Sequence, residues 1–289
     1  MDMNGTQETF LLHFQAIGEP PNDGDEDTRP TFMILGTNYF FYSLCTSDTG
    51  YGDGTFQKCA PPFKQLFTMH FISFPALYIF LNGKSASLYE HALQWIIDYA
   101  ASARPTPLQI KWTNFMSDFE SGFVPAFKAV FLWVYLHGCF FHWCQAIYRK
   151  VVEIGLNRLY MDETSNFRNF VRMLMSLAYL PANEVEAGLL DIWNNANLNI
   201  TDPIEQGLFN RFIQYFLNEW MTKIEEWNIN QLLYGTNNFV EGWHTHINSE
   251  WSRTRNLWAT ILSIHFEHKY TAIDYESVLA KQLRREWSL

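Results

Sequence analysis

Three acidic residues stand where the local sequence pattern changes. Asp53 sits in GDGTF at the opening of a strand-like run, Asp118 ends another such run in FMSDFE, and Glu241 lies in a helical pattern in NNFVEGWHTHIN. Brought together by a fold, three carboxylates could not all ionise without cations. Two Mg²⁺ or Mn²⁺ ions roughly 3.5–4 Å apart would neutralise them and clamp the attacking and leaving oxygens of a phosphodiester. Such hard ions favour carboxylates over His or Cys, which fits these residue types. Each acid also has an ordinary reading. Asp-Gly is a hairpin-turn pair, an Asp before a helix is an N-cap, and a lone helical Glu is a solvated side chain.

The elements that must position them follow from periodicity. TFLLHFQAI (9–17) and TFMILGTNYFFYSL (31–44) read as strands, joined by the acidic loop EPPNDGDED (19–27). YGDGTFQKCAPPF (51–63) and the apolar runs 65–73 and 76–82 read as an antiparallel meander. The period then changes. Leu88, Ala92, Trp95, Ile96 and Tyr99 define an amphipathic helix over 85–103, ended by Pro105 and Pro107. Residues 108–117 read as a strand feeding Asp118, followed by a three-turn helix carrying Phe123, Phe127, Val130 and Phe131. A buried strand over 133–140 and a helix over 141–160 come next. From 161 to 228 three apolar stripes at helical spacing succeed one another without a strand signal. A last helical zone starts near Asn238, where Asn237 and Asn238 are placed to cap it, and runs, with a break at 251–256, to the C-terminus. Three antiparallel strands followed by β-α-β would set the ends of the first and fourth strands side by side, with the late helix leaning over them.

Composition narrows the classes. Of the 289 residues 48% are hydrophobic and 17% aromatic, so the chain can bury a large core and is neither disordered nor a coiled coil. The net charge of −10 excludes a small basic module that holds nucleic acid by charge alone. Seven of the acids precede Arg29 with no Lys or Arg among them, which leaves the rest near charge balance. Four cysteines (Cys45, Cys59, Cys139, Cys144) are too few for a disulfide scaffold, so a reduced intracellular protein is expected. The apolar stretches 66–81 and 129–148 are too short or too polar to span a bilayer, and the N-terminus has no secretory pattern.

Taken in order, DGTF (53–56), APPFKQLFTMH (60–70), SDFE (117–120), GCFFHWCQ (138–145) and NNFVEGWH (237–244) resemble the catalytic domain of Mutator-like element (MULE) transposases over roughly residues 9–268. The resemblance implies a DDE-type domain of the ribonuclease-H-like fold: an α/β protein with a mixed sheet and a helical insertion before the last catalytic helix. On it the chain divides into N-terminal strands and acidic loop (1–50), catalytic core (51–160), helical insertion (161–228) and catalytic-helix region with C-terminal helices (229–289). Asp53, Asp118 and Glu241 match the three catalytic, metal-binding acids, with two Mg²⁺ or Mn²⁺ ions as cofactor. Cys139 and His142 match the family's C-x-x-H signature. Two ligands fall short of the four a structural zinc needs, so zinc is not expected there. The family further implies DNA as partner (transposon ends and target), a homo-oligomer on paired ends, no membrane association, and a nuclear or otherwise cytoplasmic location.

His142, His244, Lys111, Arg149, Lys150, Arg253 and Arg255 are the candidate DNA or substrate contacts. His244, three residues after Glu241, shares its helical face and could instead orient a neighbouring group. Full-length MULE proteins usually carry an N-terminal DNA-binding module, whereas the first 50 residues here hold one cysteine and no basic cluster. Two functions stay in play: a transposase-like domain for metal-dependent strand cleavage and transfer, and a transposase-derived, domesticated or truncated DNA- or protein-binding factor. The long helical insertion argues against a general nuclease.

Overall fold

The computed structural model describes residues 10–20, 28–55, 59–198, 200–232, 235–250 and 256–286. The chain forms two compact units. One comprises Met1–Met116, Glu120–Leu136 and Asn237–Leu289; the other comprises Ser117–Phe119 and His137–Thr236.

The first unit is built on a mixed sheet. Its strands are β1 (Leu11–Ala16), β2 (Thr31–Gly36), β3 (Thr49–Thr55), β4 (Gln65–Phe71), β5 (Phe74–Leu81), β6 (Asn114–Ser117) and β7 (Tyr135–Gly138), in the spatial order β1-β2-β5-β4-β3-β6-β7. β3, β4 and β5 form an antiparallel meander, and the β1–β2 pair extends it antiparallel on β5. Helix α2 (Ala86–Ser102) then carries the chain across, so that β6 lies parallel to β3 in the register Tyr51↔Met116. The Tyr135 and Cys139 amides donate to the Thr113 and Ser117 carbonyls, so β7 advances in the same direction as β6.

β4 is buried along its whole length and β5 nearly so, as central strands covered on both faces must be. One face carries Phe32, Ile34, Phe67, Met69, Ile79 and Leu81 under α1 (Asn38–Thr46), α2 and α3 (Phe123–Val130). The other carries Met33, Leu35, Leu66, Tyr78 and Phe80 under α10 (Asn238–Glu250) and α11 (Leu257–Glu286).

Several expectations are corrected. The run 31–44 is not one strand. β2 stops at Gly36, Thr37 Oγ1 accepts the Phe40 amide as an N-cap, and Phe40, Phe41, Leu44 and Cys45 turn a helical face into the core. The aromatic cluster Tyr39–Tyr42, of strand-favouring type, hides the change of period. The strand expected over 108–117 is only Asn114–Ser117. Residues 108–113 run outside the ladder, where Trp112 is buried and its Nε1–H donates to Leu44 O at 2.6 Å. The expected buried strand at 133–140 is the short outer strand β7, with Tyr135 exposed. The helix expected over 141–160 breaks at Gly155, whose φ of 97° ends α4 (Phe140–Ile154) before α5 (Asn157–Met161). The expected break at 251–256 falls almost wholly outside the described residues.

The second unit is helical beyond β7: α4 and α5, then α6 (Phe167–Ser176), α7 (Val185–Asn195), α8 (Pro203–Tyr215) and α9 (Ile224–Trp227). Trp143, Ile147 and Val151 of α4 meet Phe170, Val171 and Leu174 of α6 and Phe212 of α8 in one core. The Trp143 and Trp227 rings stack there at 4.4 Å. Among the described residues no strand interrupts 161–228, as the three stripes predict, and no helix is long and apolar enough to cross a membrane.

Candidate active site around Asp53

β3 reads TGYGDGT, with glycine at every second position. Alternation in a strand sends Gly50, Gly52 and Gly54 to one face and Tyr51, Asp53 and Thr55 to the other. The glycine face is closed by aromatic rings. A Cβ on Gly50 would stand 2.6 Å from Phe115 Cδ2, and one on Gly52 would stand 2.7 Å from Phe67 Cζ. The strand is therefore pressed against the α1–α3 core by its bare positions, and Asp53 is left to face α10. It is the fifth of seven strand residues rather than the opening one, and the Asp-Gly pair forms no hairpin.

Asp53 is only 5% exposed. One carboxylate oxygen accepts its neighbour's amide, Gly54 N–H, at 2.9 Å. The other lies 3.2 Å from Nδ1 of His244. His244 arrives there because α10 turns Val240, His244 and Ile247 inward, at helical spacing. The T-shaped contact of Phe239 with Tyr51, centroids 4.6 Å apart, fixes the start of the helix over β3. Nε2 of His244 lies 3.0 Å from Oγ1 of Thr68, the residue paired with Asp53 across the ladder. Thr68 Oγ1 in turn lies 3.0 Å from Nε2 of His70.

The donor facing Asp53 is fixed once the carboxylate is taken as the acceptor. Nδ1 of His244 carries the proton toward Asp53. With a neutral ring, Nε2 accepts the Thr68 hydroxyl, whose oxygen accepts N–H from His70. With an imidazolium, Thr68 would turn its proton to the Asp53 carbonyl 3.5 Å away. His70 is fully buried. Desolvation, reinforced by the neighbouring His244, holds its pKa well below the ordinary histidine value, so its ring is neutral at neutral pH.

A second polar cluster forms on the opposite face of the sheet. Glu120 Oε2 accepts Gln65 Nε2 at 2.8 Å and Tyr89 OH at 3.0 Å, tying the start of the 120–136 segment to β4 and α2. Gln65 is fully buried.

Of the residues singled out in sequence, the fold joins Asp53 to His244 and places Glu241 half-buried in the first turn of α10, the helix that packs on β3. Asp118 follows directly on β6, the parallel neighbour of β3, and belongs to the second unit. It is not a helix cap: the N-cap of α3 is Gly122. The Asn237 carbonyl accepts the Val240 and Glu241 amides, so the backbone rather than the side chain closes the start of α10.

Cys139 is buried at the N-cap position of α4, and His142 is half-buried in its first turn. His244 is enclosed and hydrogen-bonded rather than presented to solvent. Lys111 is exposed in the first unit. In the second, Arg149 donates to Gln145, while Lys150 pairs with Glu153 at 2.8 Å and lies over the Tyr215 ring. Arg253 and Arg255 lie outside the described residues.

Thr68, His70, Gln65 and Glu120 were not assigned roles from sequence. A signal existed for the first two: in QLFTMHF, Thr and His recur two apart in an otherwise apolar strand and so share a face. No known protein-family model matches the chain, and no curated protein matches it.

Proposed function

We propose that this chain is a DDE-type nucleotidyl-transfer domain, resembling MULE transposases, that cleaves and joins DNA strands with divalent metal. The observation that carries the reading is a carboxylate, Asp53, enclosed on an interior strand of a mixed sheet under the helix that bears Glu241. The order of three antiparallel strands followed by a parallel β6 supports the ribonuclease-H-like assignment.

The resemblance makes Asp53, Asp118 and Glu241 the residues that would hold the metal. Within the first unit Asp53 and Glu241 offer carboxylate oxygens, which suit Mg²⁺ or Mn²⁺, and a carboxylate as enclosed as Asp53 is one whose charge calls for a counter-charge. When bound, two such ions supply an activated water and charge neutralisation at the phosphodiester. The chain's own residues do the positioning. His244 holds one Asp53 oxygen in place, Thr68 fixes the His244 ring, and the Gly54 amide holds the other oxygen. This reading takes DNA ends and target as substrate, a homo-oligomer as the working form and the nucleus as its place of action.

The test is nicking of supercoiled plasmid and of labelled duplex DNA with Mg²⁺, Mn²⁺ or EDTA, alongside Mn²⁺ binding followed by electron paramagnetic resonance. Metal-dependent nicking should vanish, and Mn²⁺ binding weaken, in Asp53→Asn, Asp118→Asn and Glu241→Gln. DNA binding should persist, at the roughly 10⁻⁴–10⁻⁶ M expected of non-specific contacts. Cleavage surviving in all three variants would reject the site. Binding without cleavage in the unaltered chain would favour the domesticated-factor reading.

A further inference from the structure

Helix α11 is 30 residues long, about 45 Å at 1.5 Å per residue. Thr260, Ile264, His268 and Thr271 turn one face into the first unit. At 100° per residue, Trp258, Leu262, Phe266, Tyr270 and Ile273 fall on the opposite face, and all five are at least half exposed, Trp258 at 79%. A helix with one face already buried normally turns charge outward on the other. Here Lys269 is the charge within the stripe, and its Nζ lies over the Phe266 ring at 5.8 Å. Beside the N-terminal half of the helix, the outer strand β1 exposes Leu11 and Phe14. Together with Trp258 and Leu262 they line an apolar groove of about 640 Å³.

We propose that this face is the interface between two copies of the chain, packed antiparallel about a two-fold axis through Phe266. An axis through Phe266 gives each residue of the stripe an apolar partner, because in an isologous contact the residue opposite position k in one copy must also meet k in the other. Leu262 and Tyr270 lie four residues to either side, with Trp258 eight before and Ile273 seven after. Leu262 then lies opposite Tyr270, and Trp258 reaches Ile273. The area also suffices. The exposed apolar side chains of stripe and strand offer on the order of 1,000 Å² per copy, against roughly 800 Å² per partner in a stable interface. Nothing here depends on the catalytic reading, and the test does not use activity.

Sedimentation velocity and light scattering on the full chain, up to about 100 μM, should give twice the 34.0 kDa chain mass. Leu262→Glu and Tyr270→Lys, each with unchanged circular dichroism, should weaken dimerisation at least tenfold. Combined, they place Glu opposite Lys twice across the axis and should restore most of the loss. A monomeric unaltered chain would overturn the proposal. So would a dimer indifferent to both single variants, and a double variant no better than the worse single one would overturn the antiparallel register.

Discussion

Replacing His244 with Ala probes the arrangement around Asp53 directly. The imidazole gives Asp53 Oδ2 its 3.2 Å partner in a setting where both side chains are less than a tenth exposed. A hydrogen bond to a charged group contributes about 1.5–3 kcal/mol, and leaving the Thr68 hydroxyl only His70 and the Asp53 carbonyl 3.5 Å away adds up to about 1 kcal/mol. With the cavity left by the ring, the loss should total about 3–5 kcal/mol. For a unit of this size, about 2–4 °C per kcal/mol makes that a fall on the order of 10 °C in Tm. Asp53→Asn should cost less, because its amide keeps an acceptor for His244 and buries no charge. The decisive quantity is the coupling energy in a cycle of Asp53→Ala and His244→Ala, in which each single change removes the contact, read from urea unfolding by circular dichroism. It should be about 1.5–3 kcal/mol. A coupling below about 0.5 kcal/mol, the additivity expected of independent sites, would refute the claim that His244 acts on Asp53.

Three further outcomes follow from the same structure. Burial, helped by His265, lowers the pKa of His268 from 6.5 to about 4. The unfolded chain therefore binds a proton there that the folded chain does not, and stability should fall as pH drops from 6.5 through 4, by up to about 3 kcal/mol from this group. His70 adds to the same slope, and His268→Gln should flatten part of it in Tm measured against pH. Gly52→Ala sets a Cβ 2.7 Å from Phe67 Cζ and 3.0 Å from Phe115, so it should destabilise by about 1–3 kcal/mol. Gly207→Ala in α8 meets nothing within 4 Å and should stabilise by about 0.5–1 kcal/mol, the opposite sign in the same melting assay.

Much of the architecture was legible locally. The meander, α2 and the helical run after 161 are written in periodicity, which acts over a few residues. Short aromatic-rich runs were not legible. Phe and Tyr favour strands and nine residues are too few to fix a period, so α1 passed for strand, and the lengths of β6 and β7 depend on which neighbours complete a ladder.

At the site, sequence supplied the residue types and, through resemblance, the three acids. It could not supply the surroundings of Asp53. That the glycines of TGYGDGT mark a strand pressed against Phe115 and Phe67, and not a turn, depends on rings distant in the chain. That His244 meets Asp53 and Thr68 depends on how α10 lies over β3. Neighbouring residues fix which side chains share a face. Burial and hydrogen-bond partners are set by segments that meet only when the chain is folded, and here they decide which carboxylate is enclosed and which histidine holds it.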